Sequence, residues 1–145
     1  MTRARDGEPL AREIEHTADV GLEVEAPTLA VLFERAGLAM LGLMVDLTAV
    51  APRDVLPLVV EACGRVELLH DFLTALLVAC TAHGFVASEL VVDAIDERTV
   101  HATAVGEPLD LARHDVRTEI KAVTYHELDV RPVPGGWRAR VIFDV

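Results

Sequence analysis

The sequence has very little lysine and little cationic charge overall. It contains twelve arginines and one lysine, Lys121, against 24 aspartates and glutamates, and its net charge is −11. Binding a phosphate backbone over a broad surface needs clustered lysine and arginine. We therefore expect no strong direct binding to nucleic acid, and the acidic balance favours a cationic partner, such as a metal ion or a basic protein surface.

Long apolar runs are also absent. No stretch is apolar enough over a sufficient length to predict a membrane span, and the start, MTRARDGEPLARE, has no apolar stretch typical of a signal peptide. These absences predict a cytoplasmic protein with no membrane partner. The only two cysteines, Cys63 and Cys80, have apolar neighbours. In the cytoplasm we expect reduced core residues rather than a disulfide.

Length and composition predict one folded domain. A chain of 145 residues has the usual size of a single domain, and a hydrophobic fraction of 52% is sufficient for a core. Residues 1–10 are interpreted as a flexible lead-in, and residues 11–145 as the domain.

The hydrophobic pattern predicts alternating strands and helices. Val20, Leu22 and Val24 alternate as in a strand with one apolar face. Helical spacing then continues to about Met44, and Thr28 is placed to cap that helix.

The rest of the chain predicts a second helix and further strands. Pro57 within residues 54–62 indicates a strand at a sheet edge, and Gly84 is placed to end a helix over residues 65–83. Further strands are expected at 85–96, 98–106, 121–133 and 136–145, the last two as a hairpin around PGG. This order predicts an α+β fold, with two helices packed on a mixed, largely antiparallel sheet of six or seven strands.

The first group of polar residues is EHTADVG, at positions 15–21. It lies between two strand-like runs, which predicts a tight connection. Asp19 is then either a turn-forming residue or, with His16, part of a functional site.

The second group is DLARHDVRTEIKAVTYHEL. Its lysine, Lys121, has apolar neighbours, which predicts a half-buried stem and a carboxylate partner such as Glu119 on the same face of a strand. The pair is either structural or functional. Tyr125 is the only tyrosine, and His114 and His126 are expected at the surface or in hydrogen bonds. The spacing matches no zinc motif.

The third group is the end of the chain. Asp144 follows an apolar strand, and Val145 adds the terminal carboxylate one residue later. Calcium and magnesium prefer oxygen ligands, so these groups and a second aspartate would suit a hard cation.

Three segments resemble the archease family, in the same order. They are EHTADVGLEVEAPTLAVLFERAGLAMLGLM, GEPLDLARHDVRTEIKAVTYHELDV and GWRARVIFDV, and the resemblance covers nearly all of residues 11–145. It implies an archease-like α+β fold. It also implies an accessory protein, not an enzyme, that acts on the guanylylating, manganese-dependent RNA-splicing ligase in tRNA splicing or RNA repair. Such proteins promote ligase guanylylation and multiple turnover, and the GTP and manganese belong to the ligase.

The resemblance further implies a divalent-metal site. The family's aspartate near the N-terminus matches Asp19, and its terminal aspartate–hydrophobic pair matches Asp144 and Val145. Hard oxygen ligands favour calcium or magnesium over zinc. Further candidates for functional residues around this site are His16, Glu119, Lys121, Tyr125 and His126.

Two other functions remain open from the sequence. A carboxylate–metal site near Lys121, Tyr125 and His126 could activate water, which would make the protein a metal-dependent hydrolase. Alternatively, the chain is a chaperone-like interaction module whose metal is purely structural.

Overall fold

The computed structural model describes residues 11–15 and 19–145, which fold into two α-helices, one short 3-10 helix and eight strands. The strands are β1 (Arg12–Glu15), β2 (Asp19–Ala26), β3 (Asp54–Glu61), β4 (Phe85–Ile95), β5 (Thr99–Pro108), β6 (Ala122–Val123), β7 (Asp129–Val133) and β8 (Gly136–Asp144). The helices are α1 (Leu29–Met44) and α2 (Arg65–Thr81), with the 3-10 helix at Leu47–Ala49. The expected lead-in over residues 1–10 and the candidate His16 lie outside the described residues.

The strands form two sheets. One has the order β1-β2-β8-β6, with β7 also paired to β8, and the other has the order β3-β5-β4. Every pairing of named strands in these two sheets is antiparallel. The predicted α+β class with two helices is confirmed, but two antiparallel sheets replace the single mixed sheet. Antiparallel pairing is natural for neighbouring strands that are joined by short hairpins, such as β4–β5 and β7–β8.

The two helices join the sheets through a common core. Helix α1 packs on β2 and β8 of the larger sheet and on β4 of the smaller one, and α2 contacts strands of both sheets as well. Thr28 caps α1 as predicted, since its hydroxyl accepts a hydrogen bond from the Val31 amide at 3.1 Å. Phe33 and Phe72, both fully buried, bring the two helices together with ring centroids 5.4 Å apart.

Pro57 lies in an edge strand and Gly84 follows a helix, as the sequence predicted. Strand β3 is an edge strand of its sheet, and the amide of Ala62 donates to the Arg98 carbonyl at 2.8 Å. Backbone N–H and C=O groups point alternately to the two sides of a strand. Ala62 points toward β5, and Pro57 is an odd number of residues before it, so the backbone groups of Pro57 point away from β5. Pro57 therefore removes no ladder hydrogen bond. Helix α2 ends two residues earlier than predicted, and Gly84 then takes a φ of +67°, which favours glycine.

The stretch from 121 to 133 is not one strand. It forms β6 and β7, which both pair with β8 and are separated by a turn in which Glu127 has a φ of +53°. The turn is closed by a hydrogen bond from the Leu128 amide to the Tyr125 carbonyl, at 3.2 Å. Pattern alone missed this break because the apolar residues on both sides of it still alternate.

The cysteines differ in environment. Both are free thiols, as expected, and Cys80 is buried, which raises the pKa of its thiol. Cys63 is exposed in the connection between β3 and α2, so its predicted place in the core is wrong. No helix in the described ranges has the length and apolar character needed to cross a membrane.

Candidate functional site

Two aspartates from opposite ends of the sequence meet across a pair of strands. The register of β2 and β8 places Asp19 directly opposite Asp144. Residues directly opposite in an antiparallel pair point to the same face, with Cβ atoms about 4.5–5.5 Å apart. The neighbouring pair, Val20 and Phe143, faces the core, so the two carboxylates lie on the outer face. Asp19 thus begins a strand rather than forming a turn.

A third strand extends this row. Ala122 of β6 lies opposite Asp144 on the other side of β8, and the Lys121 amide donates to the Asp144 carbonyl at 2.7 Å. The single lysine of the chain therefore immediately precedes the edge strand β6, and its backbone is bonded to Asp144 of the aspartate pair. Val145, the next residue after Asp144, is partly buried and packs against the core.

The electrostatics of the aspartate pair favour a cation. Like charges directly opposite in a sheet destabilise the pairing. Within residues 11–15 and 19–145, neither the Asp19 nor the Asp144 carboxylate has a side-chain hydrogen bond or ion pair. The same residues contain no cluster of three or more histidine, cysteine, aspartate or glutamate side chains of the kind that holds a metal. The donors that would fit a hard cation are thus two carboxylates and main-chain oxygens.

Glu119 and Lys121 do not form the expected ion pair. Both side chains are exposed, and they lie in an irregular segment that precedes β6 rather than in a strand. The half-buried lysine stem was therefore a wrong prediction. The physical reason is that Ile120, at 2% exposure, takes the buried position and both charged neighbours remain in solvent.

Tyr125 and His126 follow β6 in the turn before β7. Tyr125 is 57% exposed, and its ring stacks on the ring of His70 from α2. Partial desolvation raises the pKa of the Tyr125 hydroxyl, and the negative charges of Asp71 and Glu67 act in the same direction. His126 is exposed and lies 3.3 Å from a carboxylate oxygen of Glu127, as expected for a surface histidine.

A buried carboxylate, Glu107, fixes the segment that leads to Lys121. Glu107 accepts hydrogen bonds from an Arg113 nitrogen at 2.6 Å, the Ala51 amide at 2.7 Å and the His114 Nε2 at 2.9 Å. The bond from Arg113, followed by that from the Ala51 amide, lowers the pKa of Glu107 to about 2. The Nδ1 of His114 accepts from the Asp110 amide at 2.9 Å, so its Nε2 carries the proton.

Neither Glu107 nor His70 was predicted from the sequence to belong to the candidate site. His114 was expected to be a surface or hydrogen-bonding histidine, and it is a buried, hydrogen-bonded one. Glu107 lies in β5, just past the strand predicted at 98–106, and an acidic residue there has no local sign of burial. His70 is one of several polar residues in α2, and its partner Val123 is distant in sequence.

The chain is similar to known proteins over nearly its whole length. The model of the Archease protein family (MTH1598/TM1083) matches residues 12–145. The protein archease of Methanopyrus kandleri is 38% identical over 136 residues, which span 92% of this chain and 97% of that protein. The protein archease of Thermococcus gammatolerans is 36% identical over 137 residues, spanning 90% of this chain and 95% of that protein.

Two solved structures have the same fold. The solution structure of Methanobacterium thermoautotrophicum protein 1598 superposes with a TM-score of 0.77 at 30% identity, covering 93% of this chain and 98% of that one. The crystal structure of a Thermotoga maritima archease, described as a possible chaperone, gives a TM-score of 0.66 at 19% identity and covers 92% and 96% of the two chains. The family model and the sequence relatives cover the described domain almost completely, and the chain therefore belongs to the archease protein family.

Proposed function

We propose that this archease activates the guanylylating, manganese-dependent RNA-splicing ligase of its cell, in tRNA splicing or RNA repair. Membership of the family supports an accessory role rather than catalysis by the chain itself. The observation that carries the proposal is the placement of Asp19 opposite Asp144, with Lys121 at the adjoining strand. Asp144 and Lys121 are exposed and Asp19 is half-buried, so a partner protein can reach this group of charges.

A divalent cation completes this site in the proposal. Asp19 and Asp144 would hold it through their carboxylates and Val145 through main-chain oxygens. Calcium or magnesium suits these hard oxygen donors, while zinc prefers nitrogen and sulfur. When bound, the cation neutralises the two like charges and offers a positive centre to phosphate oxygens.

The chain's own residues bind and orient in this scheme. β2 and β8 place the two aspartates at one end of the outer face. The hydrogen bond from the Lys121 amide to the Asp144 carbonyl holds the backbone of the lysine next to them. The exposed Lys121 ammonium can then contact a phosphate or a carboxylate of the ligase. The net charge of −11 favours a basic docking surface on the ligase over direct grip on RNA.

Multiple-turnover RNA ligation tests the proposal. The cognate ligase is supplied at a substoichiometric concentration with GTP, manganese and RNA ends that carry a 3′-phosphate. Wild-type protein is compared with Asp19→Asn and Asp144→Asn. Asp54→Asn is the matched control, because Asp54 is an exposed aspartate in the other sheet, opposite Gly106.

The proposal predicts that wild type and the control convert the ligase from single to multiple turnover, and that the folded site variants do not. A ligase unaffected by wild-type protein would refute it. Full stimulation by both site variants, combined with lowered melting temperatures, would instead favour a chaperone-like module with a structural metal. Phosphoester hydrolysis by the isolated protein would favour the hydrolase alternative.

A further inference from the structure

The strand beside Lys121 is too short to hold itself in place. β6 has two residues, Ala122 and Val123, and it lies at an edge of the larger sheet. Two hydrogen bonds that flank β6 join it to β8. The Lys121 amide donates to the Asp144 carbonyl at 2.7 Å, and the Thr124 amide donates to the Ile142 carbonyl at 3.0 Å. Strands of this length are marginal without support from a second element.

His70 of α2 supplies that support from the other side. The pairing of Thr124 with Ile142 directs the Val123 carbonyl away from β8, toward the open edge. The Nε2 of His70 lies 2.9 Å from this carbonyl oxygen, which can only accept, so Nε2–H is the donor. The contact joins the helix to the strand edge and satisfies a carbonyl that the sheet leaves unpaired.

Two further contacts fix the His70 ring. It stacks on the ring of Tyr125 at a centroid distance of 3.9 Å and an interplanar angle of 12°. Its Nδ1 lies 2.9 Å from a carboxylate oxygen of Asp71. In the imidazolium form the ring donates to both Asp71 and Val123, and in the neutral Nε2–H form it keeps the bond to Val123 alone. The histidine side chain is only 17% exposed, so these partners determine its orientation.

We propose that His70 is a positioning residue for the candidate site. Through its contacts with Val123 and Tyr125, His70 holds β6 against β8 and thereby determines the position of Lys121 relative to Asp144. This role rests on the proposed function of the group formed by Asp19, Asp144 and Lys121. His70 itself is not proposed to contact the ligase or its nucleotide. Its effect reaches the site only through the backbone of residues 121–125.

Three variants separate the contacts. His70→Phe keeps a ring that can stack on Tyr125 and removes the hydrogen bond to Val123. His70→Gln replaces the ring by an amide whose N–H group can donate to the same carbonyl. His101→Phe is the matched control, because His101 is an exposed histidine on β5 of the other sheet.

The first readout is local and needs no ligase. In NMR spectra the Val123 carbonyl carbon reports the hydrogen bond directly, and Tyr125, as the only tyrosine, gives readily assigned ring signals. For His70→Phe we expect a shifted Val123 carbonyl signal and amide exchange at Lys121 and Thr124 that is roughly threefold to tenfold faster, the factor for loss of one ordinary hydrogen bond. His70→Gln should restore slow exchange, and His101→Phe should match wild type.

The second readout is stimulation of the ligase by the same proteins, with melting temperatures to confirm folding. We expect His70→Phe to lower the maximal stimulation and His70→Gln to recover most of it. Unchanged amide exchange in His70→Phe, or full stimulation by this variant while wild type stimulates, would overturn the positioning role alone. A wild type that fails to stimulate would overturn the proposed function, and the exchange data would still report whether His70 holds β6.

Discussion

Neutralising Asp144 should change the stability of the protein in opposite directions with and without a divalent cation. The substitution Asp144→Asn keeps the shape of the side chain and removes one of two like charges that face each other across β2 and β8. At a separation of about 5 Å, two unit charges in water repel by about 0.8 kcal/mol. In EDTA, which removes divalent cations, the melting temperature of the variant should therefore be about 2 °C above that of wild type. This figure follows from the usual relation between unfolding free energy and melting temperature for a domain of this size.

With a bound cation the order should reverse. Wild type should gain about 2.7 kcal/mol of unfolding free energy when the free cation is at a hundred times its dissociation constant. Asp144→Asn has lost one of the two carboxylate ligands, so it should gain much less. Asp19→Asn should behave in the same way, because it removes the other carboxylate of the pair.

Thermal unfolding followed by circular dichroism is the assay. Each protein is melted in EDTA and in a series of calcium or magnesium concentrations, with Asp54→Asn as the control that should follow wild type in every buffer. A wild-type melting temperature that does not rise with either cation would refute the interpretation of the pair as a cation site. So would an Asp144→Asn protein that is less stable than wild type in EDTA, because relief of repulsion can only stabilise.

Three further predictions concern the scaffold. The pKa of Glu107 is lowered from 4.5 to about 2, so its ionised carboxylate stabilises the fold above pH 4.5 and this stabilisation is lost as the pH falls toward 2. The urea midpoints of wild type and Glu107→Gln should therefore differ at neutral pH and converge in acid. Gly106→Ala should destabilise by roughly 3 kcal/mol in urea melts, since its Cβ would lie 1.8 Å from the Val86 carbonyl oxygen, and a stable variant would contradict that packing. Thr28→Ala should cost about 1 kcal/mol through loss of the α1 cap, whereas Thr28→Ser should be nearly neutral in the same melts.

The sequence predicted the elements whose boundaries have a local physical cause. Thr28 caps α1 through its own side chain, and Gly84 takes a positive φ, so both boundaries are visible in a few residues. The alternation of Val20, Leu22 and Val24 likewise identified the core face of β2. The division into two sheets was missed because it depends on which distant strands pair, and alternation along one strand carries no such information.

The candidate site shows the same limit. Local sequence allowed Asp19 to be a turn residue, and only its register with Asp144 places it in a strand opposite a second carboxylate. Alternation also suggested a strand through Lys121, whereas the chain is irregular there and Ile120 alone turns inward. His70 could not be found from its neighbours, because its role depends on Val123 and Tyr125, which α2 meets only in the folded chain.

The rate at which the ligase forms its covalent guanylate is the most direct test of the proposed function. The cognate ligase is incubated with GTP and manganese, without RNA, and the guanylylated fraction is followed over time with wild type, Asp144→Asn or Asp54→Asn. We expect faster guanylylation with wild type and with Asp54→Asn, and a rate close to that of the ligase alone with Asp144→Asn. Equal rates with and without wild-type protein, or equal acceleration by wild type and Asp144→Asn, would contradict it.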